Sequence, residues 1–136
     1  MAADPTAHLT TTMPFCGTLK MRARSLDAAQ VELELDWAED LCTSNGLLHG
    51  GVIMALADSA GGACAAANLP KEAIGTSTIE SKTNFLGAVR SGTVRAITRP
   101  LHVGGTTIVV ETEIRDDRER LVAKTTQTQV VLRPKP

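Results

Sequence analysis

A chain of 136 residues with 43% hydrophobic residues has room for one domain with a sizeable core. Its 14 basic and 15 acidic residues leave a net charge of −1, which excludes the broad basic footprint of a nucleic-acid binder. Aromatics at 2% exclude a stacking platform for single strands.

The first residues have neither a basic n-region nor an apolar h-region, so no secretory signal is read between Met1 and Phe15. Residues 1–14 are small and polar and read as a flexible arm ahead of a single domain over residues 15–133. Gly17 to Ser25 is expected to pair as a strand with Gln30 to Trp37, turning near Asp27. In the second of these, Val31, Leu33, Leu35 and Trp37 alternate with Gln30, Glu32, Glu34 and Asp36, the period of a strand with one solvated face. The cluster Thr43-Ser44-Asn45-Gly46 is turn and cap chemistry.

A helix follows, from about Gly50 to Asn68 and closed by Pro70. It is apolar on nearly every side and is therefore expected to be buried all round. Asp58 interrupts it, which argues against a membrane span. The rest reads as strands: Ile74 to Ala88, Thr93 to Leu101, Thr106 to Arg115 and Leu121 to Leu132, with turns at Arg90-Ser91-Gly92, Gly104-Gly105 and Asp116-Asp117. Short turns between long strands suggest an antiparallel meander. The class is α+β: strands wrapped around one central helix. Cys16, Cys42 and Cys64 are widely spaced with no CxxC, a pattern of packing residues in a reducing, cytoplasmic setting rather than a disulfide framework or zinc site.

The segment that carries chemistry runs from Asn45 to Asp58. Asp58 is the one acidic residue between Asp40 and Glu72, and an ionised carboxylate on an apolar helix is costly unless it is bonded or paired. A buried Asp with structural partners is one reading, an Asp that reaches solvent at a gap in the sheet is another, and a general base or nucleophile is the third. His49-Gly50-Gly51 opens the helix, where glycine N–H groups and the helix dipole suit a developing oxyanion. A plain entry turn capped by the His explains the same residues without chemistry. Nine residues part His49 from Asp58, about 13 Å of helix, more than one small reacting group can bridge. If both act, they come from different subunits across a two-fold axis.

The pattern G-x-x-H-G-G followed by L-A-D, at Gly46 to Gly51 and Leu56 to Asp58, resembles the signature of hotdog-fold thioesterases of the phenylacetic-acid-degradation and 4-hydroxybenzoyl-CoA type. Thr78 to Leu86 and Pro100 to Gly105 extend the resemblance, which covers roughly Gly17 to Leu132. It implies a hotdog fold and hydrolysis of an acyl-CoA thioester with Asp58 as the catalytic carboxylate. Gly50 would be the backbone donor to the carbonyl, with His49 and Gly51 beside it, and Thr78 would lie near the attacking water.

By the same resemblance, Phe85, Leu86, Gly87 and Ala88, with His102, Val103, Gly104, Gly105, Thr106 and Thr107, fall on segments that contact coenzyme A. Where the family often has an amide, this chain has Thr43, with Asn45 two residues on. Gly62 stands where some members carry Ser or Thr, and widens the pocket. The phosphates would meet the N–H groups of Gly104 and Gly105, or Arg90 and Arg99. The expected partners are the acyl-CoA itself and further copies of the chain, a homodimer or homotetramer with its active site at the dimer interface. No metal or separate cofactor, nucleic acid or membrane is expected. A non-catalytic acyl-CoA-binding hotdog domain and a hotdog dehydratase or hydratase are the alternatives.

Overall fold

The computed structural model of the chain describes residues 4–136. Two short helices come first, α1 over Pro5–Thr12 and α2 over Pro14–Thr18. The strands β1 (Arg22–Leu26) and β2 (Val31–Asp36) follow, then the long helix α3 (Gly50–Ala67). Four strands complete the chain: β3 (Gly75–Phe85), β4 (Thr93–Val103), β5 (Thr107–Arg115) and β6 (Leu121–Leu132). They form one antiparallel sheet in the order β1-β2-β4-β5-β6-β3, packed around α3. This is the expected α+β hotdog arrangement.

Alternation decides which strand faces meet the helix. Val31, Leu33 and Leu35 of β2 are fully buried, as are Ile108, Val110, Thr112 and Ile114 of β5. On the other face of the sheet, Arg22 pairs with Glu34 at 3.1 Å and Arg95 with Glu32 at 2.7 Å. Each fully buried Val, Leu or Ile contributes about 1.5–3 kcal/mol, so this inner layer outweighs the half-exposed ion pairs outside it.

Four expectations change. The strand expected from Gly17 begins only at Arg22, because Gly17 and Thr18 complete α2. The turn at Asp27 is as expected, closed by Asp27 and Gln30 exchanging both backbone hydrogen bonds. The flexible arm is instead helical over residues 5–12; its first three residues lie outside the described ones. Asp4 caps α1 by accepting from Thr6 N at 2.9 Å, Pro5 suits the first turn, and Leu9, the one large apolar side chain of the helix, is 1% exposed. Nor do the last four strands form a simple meander. Only β4, β5 and β6 are consecutive neighbours, because α3 carries the chain across the sheet and β3 joins the edge opposite β1.

The fourth change concerns α3. Its inner side, with Ile53, Leu56, Ala57, Ala60, Gly61, Cys64 and Ala65, is buried. Gly51, Met54, Asp58, Ala66 and Ala67 lie exposed along an outer side that none of the described residues covers. By length and hydropathy α3 could cross a membrane, but here it is the helix the sheet wraps.

Candidate active site

Asp58 stands on that outer side of α3, level with the edge strand β3 and the buried glutamines of β6. Thr78 Oγ1 donates to Asp58 Oδ1 at 2.9 Å, and Gln127 Nε2 donates to the same oxygen at 2.8 Å. Gln127 Nε2 also donates to Thr78 Oγ1 at 3.2 Å, and Gln129 Nε2 does so at 2.7 Å. The Thr78 hydroxyl thus has its proton and both lone pairs engaged. Asp58 Oδ2 has no partner among the described residues, so one carboxylate oxygen is anchored and the other is open.

Local sequence explains how these groups meet. A bulge in β3 between Thr78 and Glu80, opposite Gln129 and Thr128 of β6, inserts Ile79 as an extra residue. Bulges re-aim side chains, and this one turns Thr78 toward the helix while Ile79 points outward, 61% exposed. Gln127 and Gln129 occupy helix-facing positions in phase with Ala123, Thr125 and Val131, and are 0% and 1% exposed. Gln127 needs room: a Cβ on Gly61 would lie 2.7 Å from its Oε1. That Oε1 is buried without a partner. The sequence reading found Asp58 and Thr78 but missed both glutamines. The signal available was a polar Gln-Thr-Gln run in phase with buried apolar residues at the chain end.

At the helix start, His49 is the N-cap, and its Nδ1 accepts from Gly51 N at 2.8 Å. A Cβ on Gly51 would lie 2.9 Å from that nitrogen, so the cap requires the glycine. The sequence predicts both glycine N–H groups to be open, but Gly51 N–H is engaged by His49, and of the two only Gly50 N–H is without a partner among the described residues. The Phe85 ring packs over Gly50, 3.2 Å from where a Cβ would sit. Thr43 and Asn45 are exposed in the preceding loop, where Asn45 takes a left-handed conformation at φ 62°. Neither side chain joins the Asp58 cluster.

The segments expected to hold coenzyme A do not converge within one chain. Phe85 pairs with Ala123 of β6, whereas Thr107, just after Gly104-Gly105, is level with Val130. Seven residues of strand separate the two levels, about 23 Å. Phe85, Leu86, Gly87 and Ala88 thus lie near the start of α3, and the loop of His102, Val103, Gly104, Gly105 and Thr106 at the opposite end of the sheet. Gly104 N–H is engaged, donating to Thr107 O at 2.9 Å, and neither glycine has positive φ. Arg133, which the sequence reading passed over, is the cation at this turn, donating from Nη2 to Gly105 O at 3.0 Å. Arg90 instead donates to Asn45 O at 3.2 Å, and Arg99 to Gln30 Oε1 at 2.6 Å.

A cavity of about 530 Å³ opens beside Asp58 between α1, α3 and the start of β3. Gly62 lines it and has nothing within 4 Å of its missing side chain, which agrees with the expected widening. The cysteines are free; burial pushes the Cys64 thiol up to about 11, so it stays protonated at neutral pH.

Residues 45–123 match the model of the thioesterase superfamily. A Saccharolobus solfataricus protein named as an esterase is 33% identical, over 86% of this chain and 82% of its own. The 1,4-dihydroxy-2-naphthoyl-CoA hydrolase of Listeria monocytogenes is 30% identical over 77% of this chain and 85% of its own. Among solved structures, a thioesterase family protein from Silicibacter pomeroyi superposes with a TM-score of 0.84 at 28% identity, covering 95% of this chain and 96% of that one.

Proposed function

This chain belongs to the thioesterase superfamily and is a thioester hydrolase of acyl-CoA type, and from that premise we propose that Asp58 Oδ2 is the reactive oxygen. The observation that carries the reading is the asymmetry of the carboxylate: Oδ1 takes two donors while Oδ2 stands free at the mouth of the cavity. Oδ2 either takes a proton from water as that water adds to the thioester carbonyl carbon, or adds to the carbon itself. The C–S bond then breaks and coenzyme A leaves as the thiolate and gains a proton; the first route releases the free acid directly, and the second leaves a mixed anhydride on Asp58 that water hydrolyses to the free acid and the regenerated carboxylate. Thr78 holds the carboxylate. Water is the only co-reactant the step consumes.

The carbonyl oxygen would lie on Gly50 N–H of a partner subunit, because Asp58 and Gly50 lie eight residues apart on one helix, about 12 Å. Two features support the dimer. The outer side of α3 is uncovered, with Met54 39% exposed, and β3 is an edge strand presenting Ile79. Antiparallel pairing of two β3 edges would also bring the Phe85 end of one subunit toward the Gly105 end of the other, which lets one coenzyme span segments that a single chain holds apart. Three free cysteines fit a cytoplasmic location.

Thiol release from a panel of acyl-CoAs tests the reading. Asp58→Asn keeps the shape and should lower turnover at least ~100-fold. A folded variant with near-normal turnover would refute the role. Light scattering should give a dimer or tetramer, and an active monomer would sink the shared site.

A further inference from the structure

We infer that α1 is the specificity-determining wall of the acyl site, and that the cavity beneath it takes a neutral, unbranched aliphatic acyl chain of medium length. The inference rests on the proposed role of Asp58. The N-terminal segment is the part of the chain that the family motifs do not reach, and it is built into the cavity. Thr6 Oγ1 accepts from Ala23 N at 3.0 Å, which fastens α1 to β1. Leu9 anchors the helix in the core, and Leu9, Thr12 and Met13 form one side of the cavity. Gly62, Ala63 and Ala66 of α3 form the side opposite.

The lining chooses among acyl classes. It contains no Lys or Arg, its one basic side chain is the exposed His8, and Asp58 is itself a carboxylate, so an acyl group with a second carboxylate would meet a like charge and no buried counter-charge. It contains no Phe, Tyr or Trp, and its one ring, the exposed His8 imidazole, is polar, so an aryl group would find no apolar ring to stack on. Leu9, Met13 and Leu26 on one side and the small α3 residues on the other make dispersion contacts with a narrow flexible chain. The α3 wall runs nine residues from Asp58 to Ala67. That is about 13 Å, room for a chain of roughly eight carbons leading away from the carboxylate.

The test is the chain-length profile of kcat/KM with acetyl-, butanoyl-, octanoyl- and benzoyl-CoA. Each methylene buried in the transition state contributes roughly fourfold. Octanoyl-CoA should therefore exceed butanoyl-CoA by on the order of 100-fold in the wild type. Ala66→Phe fills the cavity from α3 and Thr12→Phe fills it from α1. Each should lower the octanoyl-to-butanoyl ratio at least ~20-fold. A profile flat with chain length, or a preference for benzoyl-CoA, overturns the inference without any variant. A ratio that neither substitution moves overturns the part assigned to α1 and α3.

Calorimetry separates this inference from the proposed function. In an Asp58→Asn background, adding Ala66→Phe should weaken octanoyl-CoA binding at least ~20-fold. If the wild type hydrolyses no acyl-CoA but this loss is seen, the role of Asp58 fails and the cavity assignment stands.

Discussion

Two polar clusters sit on α3, and they are built in different ways. At its start, His49 Nδ1 accepts from Gly51 N, two residues away, so the cluster is complete within one turn of chain. In its middle, Asp58 is held by groups 20 and 69 residues away, on the edge strand β3 and the buried strand β6. The first is a helix cap, with an ordinary stabilisation of about 0.5–2 kcal/mol. The second brings two donors to one carboxylate oxygen, each of a kind worth about 1.5–3 kcal/mol, and leaves the other oxygen free. The local cluster shapes the backbone, whereas the one assembled from distant strands holds one carboxylate oxygen and leaves the other open.

The sharpest way to break that contrast is Gln127→Leu. It removes one of the two donors to Asp58, and kcat should fall about 10- to 100-fold with KM little changed. Because Gln127 Oε1 is buried unpartnered, the leucine should cost little stability. Unfolding with no kinetic defect in the remaining folded enzyme would make Gln127 structural instead.

Gly61→Ala attacks the same contact from the helix. The new Cβ would lie 2.7 Å from Gln127 Oε1 and 2.9 Å from Nε2, so the amide must move. A fall in kcat of roughly tenfold is expected as its bond to Asp58 lengthens. Overpacking costs about 1–3 kcal/mol, against about 1 kcal/mol gained from replacing a helical glycine. The variant should therefore melt slightly lower, and calorimetry alongside the rate distinguishes the two effects.

His49→Ala tests the other cluster. Loss of the cap should lower the melting temperature by about 4 °C. Turnover should change only a few-fold. A hundredfold loss of turnover at unchanged melting temperature would make His49 a catalytic residue and erase the contrast.

The smallest effect is expected at the far turn. A Cβ on Gly105 would make an ordinary contact with Arg133 Nη2 at 3.9 Å, and Gly105 has no positive φ, so Gly105→Asp should fold. Its carboxylate would lie beside Arg133 and oppose the coenzyme phosphates, raising KM for acyl-CoA by roughly threefold and for an acyl-pantetheine hardly at all. Equal effects on both substrates would remove the coenzyme from this turn.

The sequence by itself determined much of this protein. Alternation placed Val31, Leu33 and Leu35, and Ile108, Val110 and Ile114, on inner faces, because a strand's period is a local property of the chain. The helix was bounded at Gly50 and within one residue of its end, since a capping His, two glycines and a following Asn-Leu-Pro act within a turn. Asp58 was legible as an acid where an apolar helix has no use for one. Residues 5–12 were misread because a single apolar residue, Leu9, carries no period; only the sheet beneath makes a helix of that segment.

Tertiary structure alone decided the rest. It set β3 at the far edge and put a bulge beside Thr78. It brought Gln127 to within 2.8 Å of an aspartate 69 residues earlier in the chain. It also set the segment from Phe85 to Ala88 and the one from His102 to Thr107 about 23 Å apart along the sheet. The physical reason is one of range: propensity, capping and period act over a few residues, while strand order is set by how the whole sheet closes on its helix.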